Sequence, residues 1–170
     1  MDMARVEAGL FMLDVDYTPA SHAWIPGQRS SPYEMGLGWT VNLDKQGYFV
    51  GRRALEREHR EGSSWQLAGL EIDWEGLERE YAAVGMPPQV PASAVRGSIP
   101  VYAGPRQVGY ASTSTWSPVL KKYIALVHLQ QPYFTPGTKV EIEVTVEHHR
   151  RKSPATVVKL PFYDPEWKKK

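Results

Sequence analysis

Cysteine is absent from this chain, so neither a disulfide framework nor a thiolate metal site can be built from it. No run of apolar residues approaches the length of a membrane-spanning helix, and the first residues carry Asp2, Arg5 and Glu7 where a signal peptide would need an apolar core. No low-complexity stretch and no internal repeat occurs, apart from the closing triple lysine. Excess charge is lacking too: a net charge of +1 gives no clustered basic field of the kind that nucleic-acid affinity requires. These absences predict a cytoplasmic protein that binds neither nucleic acid nor membrane. What the chain does have is 14 glycines and 14 prolines, enough turn formers to favour a β-rich fold.

The organisation changes near Gly62. Before it, Val6, Leu10 and Leu13 recur at helical spacing and predict a short amphipathic helix over 3–13. A long Pro- and Ser-containing loop follows over 14–32, then a strand around Trp39–Leu43, then a helix from Gly51 that stops at Gly62. After it come short segments separated by turn residues: 64–73, 98–104, 106–115, 123–129, 138–149 and 154–163. In KVEIEVTVE apolar and polar residues alternate strictly, which predicts a strand with one buried face. Residues 74–95 begin with one or two helical turns and end in a Pro-rich loop. The expected fold class is α+β, mostly β: a C-terminal antiparallel β-barrel over 63–170, preceded by a partial α/β unit over 1–62.

Five stretches come in a telling order: RVEAGL (5–10), SPYEMGLGWTVNLDKQGYFVGRRAL (31–55), VGYASTSTWSPVLKKYIAL (108–126), TPGTKVEIEV (135–144) and LPFYDP (160–165). Together they resemble the successive signatures of the glycine-cleavage-system aminomethyltransferase (T-protein) family. That family includes tetrahydrofolate-dependent demethylases and the folate domains of dimethylglycine and sarcosine dehydrogenases. The resemblance implies a three-domain cloverleaf whose centre binds tetrahydrofolate. It places 1–62 at the end of the family's middle domain and 63–170 in its C-terminal barrel. It also implies that the family's catalytic aspartate and pterin-gripping carboxylate belong to segments before Met1. No catalytic residue is therefore expected here, and the chain alone is expected to be inactive.

Two residues inherit a folate contact from the resemblance. Arg5 opens the R-x-E-A-G motif, and its planar guanidinium suits a carboxylate or an aromatic ring. Trp167 stands where some members place a C-terminal tyrosine against the folate, and an indole can stack on a flat ligand. Other candidates read as structural. Glu7 is expected to orient local backbone or Arg5, and Asp14 and Asp16 to shape a turn. The run STSTWSPVLKK (112–122) lacks nucleophile-elbow and phosphate-loop spacing and reads as a loop, with Trp116 and Lys121 near a cleft. His148 and His149 with Arg150, Arg151 and Lys152 read as a solvated hairpin loop, because adjacent residues on extended backbone point apart and rarely share a metal.

A rival reading treats the chain as a non-catalytic assembly module. Phe11, Met12, Leu37, Trp39 and Phe49 would then form an apolar face awaiting a homo-oligomeric copy or a separately encoded N-terminal partner.

Overall fold

The computed structural model describes residues 2–169. Six antiparallel strands close into a barrel in the order β1-β4-β3-β2-β5-β6. They are β1 (Trp65–Ile72), β2 (Val95–Ala103), β3 (Arg106–Ser117), β4 (Lys122–Gln130), β5 (Lys139–Val146) and β6 (His149–Val158). Three helices accompany them: α1 (Asp2–Glu7), α2 (Arg52–Glu61) and α3 (Trp74–Ala82). The barrel interior is filled by Leu70, Val101, Val108, Val127, Leu129 and Val157, each fully buried.

A second core lies on the other face of β1 and β4. Val6 of α1, Met35, Leu67, Ile124 and Leu126 form it, with Phe11, Tyr17, Leu37, Leu160 and Phe162 packed around. Successive side chains on a strand point to opposite faces. Ala125, Val127 and Leu129 therefore enter the barrel while Ile124 and Leu126 meet the N-terminal segment. Burial on both faces explains why YIALV (123–127) is continuously apolar instead of alternating.

Several expected elements differ. The helix expected over 3–13 stops at Glu7, because Gly9 takes a left-handed φ of +67° and Leu10 N–H closes the turn onto the Arg5 carbonyl at 2.8 Å. The strand expected around Trp39–Leu43 is instead a single 3₁₀ turn, Gly38–Thr40, in which the Thr40 hydroxyl bonds the Leu37 carbonyl at 2.7 Å. A closed barrel also leaves no free edge for a further strand. The hydroxyl-rich run expected as a loop is the end of β3, and only 118–121 turn the corner to β4.

Arg150, Arg151 and Lys152 likewise belong to β6, not to a loop. The turn itself is Glu147–His148, both with positive φ (+48° and +63°), the geometry that two-residue hairpins favour. Among the described residues no group of three His, Cys, Asp or Glu could hold a metal, and no helix is long and apolar enough to cross a membrane.

Candidate functional site

The densest polar cluster sits where α1 crosses β3. Asp16, only 2% exposed, lies at its centre. One carboxylate oxygen accepts from the hydroxyls of Ser112 (2.6 Å) and Thr113 (2.8 Å). The other accepts from Arg5 Nη1 (2.7 Å) and from the Met12 backbone N–H (2.8 Å). Arg5 in turn donates from Nη1 to the Leu10 carbonyl (3.1 Å), from Nη2 to Thr113 Oγ1 (2.9 Å) and from Nε to Asp2 (3.4 Å). Four of the guanidinium's five N–H groups are thereby used, and one on Nη2 is left.

Asp16 therefore does more than shape a turn: it anchors the 11–17 segment to the barrel and fixes Arg5. A paired buried charge of this kind holds geometry, since removing one partner strands the other. The sequence signal for it was available only in part. Four consecutive hydroxyl residues, Ser112 to Thr115, read as loop-forming by composition, yet all four are 3% exposed or less. What makes them a strand is a short turn back to β4 and a set of acceptors on an element distant in sequence.

Glu7, 8% exposed, accepts from Ser117 Oγ at 2.6 Å, while the Leu120 N–H donates to the same hydroxyl at 3.0 Å. Its carboxylate thus fixes the end of β3, and no Arg5 contact appears among its hydrogen bonds. Its main-chain carbonyl accepts from Tyr163 N–H at 2.8 Å, which brings the C-terminal segment back onto the end of α1. Asp14 is exposed and pairs with His22 at 2.8 Å.

Trp167 follows four residues after Tyr163, in the 3₁₀ turn Glu166–Lys169, and is 67% exposed. Trp116 packs edge-to-face on Trp74 with ring centroids 5.1 Å apart, and Lys121 lines a cleft with Trp74 and Lys122. Neither belongs to the Asp16 cluster.

An open groove of about 540 Å³ begins where α1 ends, lined by Gly9, Phe11, Leu37, Leu67, Phe134 and Leu160 among others. Its walls are mainly apolar, and it is large enough for a flat ring system with a tail. Gly9 is required at its edge, because a Cβ there would lie 3.2 Å from Pro161 Cα on top of the strained φ.

Residues 79–164 match the family described as the glycine cleavage T-protein C-terminal barrel domain. An aminomethyltransferase from Prochlorococcus marinus (strain NATL2A) is 33% identical over 134 residues, covering 79% of this chain and 30% of that protein. One from Synechococcus sp. (strain CC9311) is 31% identical over 162 residues, covering 95% of this chain and 36% of that protein. The crystal structure of glycine cleavage system aminomethyltransferase T from Bartonella henselae aligns with a TM-score of 0.69 at 20% identity, over 95% of this chain and 37% of that one, a likeness of fold. The chain spans about a third of the length of the curated relatives it matches.

Proposed function

The chain belongs to the glycine cleavage T-protein family, and from that premise we propose that it is the C-terminal part of a tetrahydrofolate-dependent one-carbon transferase that moves an aminomethyl or methyl group. In this reading residues 1–62 are the end of the folate-binding middle domain and 63–170 the C-terminal barrel. Arg5 contributes to the folate site from the first unit, and Trp167 from the C-terminal tail.

The observation that carries this reading is the mounting of Arg5. Its four hydrogen bonds hold the guanidinium in one orientation and leave an Nη2 N–H for a ligand. A donor fixed before binding loses little further freedom when the ligand arrives. The return of the tail onto Glu7 supports the role of Trp167, since it brings that segment to the same helix. When bound, tetrahydrofolate supplies the nitrogen that accepts the one-carbon unit. This chain's residues bind and orient it, and the carboxylate that manages charge at the reacting carbon comes from elsewhere. The expected outcome for the purified chain is saturable tetrahydrofolate binding without turnover. Aminomethyl transfer or demethylation at a rate typical of intact enzymes would refute the division of labour.

A second reading, assembly without catalysis, is favoured by the distribution of exposed apolar side chains. Trp24 (93% exposed), Trp39 (83%), Tyr48 (73%) and Val50 (96%) all fall within the first 50 residues. Of the five residues expected on this face only Trp39 is exposed: Phe11 and Leu37 pack on the second core, and Met12 and Phe49 are partly buried. Exposed aromatics at this density mark an interface, with a second copy or with a separately encoded N-terminal polypeptide. Light scattering on the purified chain should show self-association that weakens in a Trp24→Ser/Trp39→Ser double variant. A strictly monomeric, well-folded chain that recruits no N-terminal polypeptide would rule this reading out.

A further inference from the structure

A second, smaller pocket of about 260 Å³ opens beside the Asp16 cluster, and the folate reading makes no use of it. Arg29, Glu34, Trp65, Tyr110 and His128 line it. Three of these are rings in a layered arrangement. Tyr110 stacks on His128 with centroids 5.1 Å apart and planes 16° apart, and Trp65 flanks Tyr110 at 6.3 Å.

Two side chains in this pocket, His128 and Glu34, offer acceptors. His128 Nε2 bonds the Asp16 main-chain carbonyl, which can only accept, so Nε2 carries the hydrogen and Nδ1 of the neutral ring is left as a lone pair. Burial lowers the affinity of this imidazole for a second proton, outweighing the Asp16 carbonyl and carboxylate that favour it, so the neutral form is the one to consider. Glu34 is half-buried, and one of its oxygens accepts from Ser31 N–H at 3.0 Å. Burial, opposed by that bond and reinforced by the nearby Glu58 carboxylate, raises its pKa, and no cation acts to lower it. The Tyr110 phenol is also raised, by burial and then by the negative charges of Glu34 and Asp16. Together these groups make a small concave site that offers a carboxylate and an imidazole lone pair between aromatic walls. Arg29, the pocket's own cation, is exposed to water at the rim, where the high dielectric weakens its charge.

We propose that this pocket binds a small organic cation, a primary ammonium or guanidinium group held by the Glu34 carboxylate and His128 Nδ1 against the Trp65 and Tyr110 rings. A carboxylate gives the charge-assisted hydrogen bond and aromatic faces attract the cation beside it. A cavity of about 150 Å³ already holds a benzene ring, so this one admits the cationic group with a short alkyl stem and no large substituent. The site is independent of Arg5 and stands whether or not folate binds.

Calorimetric titration of the 170-residue chain at low salt tests the assignment, with ethylammonium chloride in one arm and methylguanidinium chloride in the other. Sodium acetate serves as the anion control. Saturable binding of at least one cation is expected, with none of acetate, and the tighter cation assigns the head group. Glu34→Gln, which keeps an acceptor for Ser31 N–H, should weaken binding by about tenfold or more. Arg29→Ala should leave affinity unchanged or tighten it by removing a like charge. Trp65→Phe, which keeps an aromatic wall, provides a second variant should Glu34→Gln not fold, and should weaken binding severalfold. No saturable binding of either cation, binding of acetate instead, or unchanged affinity in a folded Glu34→Gln or Trp65→Phe chain would overturn the proposal.

Discussion

Every acceptor position that Asp16 offers toward the protein is occupied, by two hydroxyls, a guanidinium and a backbone N–H. Asp16→Asn keeps the shape but puts an N–H₂ among donors and strips Arg5 of its counter-charge. Breaking a buried pair in this way costs about 3–5 kcal/mol, and urea unfolding of the variant should show a loss of that size. His128 makes a separate prediction. Burial holds its folded pKa below the ordinary 6.5, so the unfolded chain takes up a proton that the folded chain refuses. This contribution to stability is complete above pH 6.5 and is lost as pH falls through 6.5 toward the folded pKa. His128→Gln, which can still donate to the Asp16 carbonyl, should flatten that part of the pH profile of unfolding free energy. A profile of unchanged slope would show that the ring titrates as if exposed. Arg5 is singled out in the sequence by a local motif, although its hydrogen-bond partners are not. Asp16 is not singled out, because its partners Ser112 and Thr113 lie 96 and 97 residues away and sequence spacing says nothing of a contact across that distance.

At the scale of elements, β3 decides most of the architecture. It pairs with β2 on one side and with β4 on the other, and its hydroxyl-bearing end receives both α1 and the 11–17 segment. It comes close to β4 at Gly109, where an added Cβ would fall onto the His128 carbonyl oxygen and near Leu129. Backbone cannot swing aside as a flexible side chain can, so Gly109→Ala should destabilise by about 3 kcal/mol or more. Near-wild-type unfolding of that variant would mean β3 and β4 are farther apart than described. The strands themselves are legible from alternation and turn residues in 63–170, but the one expected over 154–163 runs instead over His149–Val158, because the basic residues 150–152 continue the ladder with β5 and residues 159–163 leave it. Two elements in 1–62 are not. Helix α1 ends early at the left-handed Gly9, a stop masked in the sequence by the helical spacing of Val6, Leu10 and Leu13, and Pro161 from the other end of the chain packs close to it. Residues 39–43 have strand-like composition but no edge to pair with.

For the whole molecule, the second core joins the two ends of the chain. Val6, Met35 and Leu67 meet Ile124 and Leu126 on the barrel's outer face, and Leu160 and Phe162 close over them. Helix α1 is thus docked on the barrel, its apolar side satisfied by Val6 and its polar side carrying Arg5. The exposed tryptophans 24 and 39 are on the same N-terminal portion, outside that core. Arg5, held by its four hydrogen bonds, is the residue through which we propose that folate binds. The measurement that tests this most directly is a tetrahydrofolate titration, followed by tryptophan fluorescence, on wild type and Arg5→Ala, with circular dichroism confirming the fold and Arg5→Lys standing in if Arg5→Ala unfolds. Saturable binding in the wild type that weakens by about tenfold or more in the variant is the predicted result. No binding by the wild type, or equal binding by both, would contradict it.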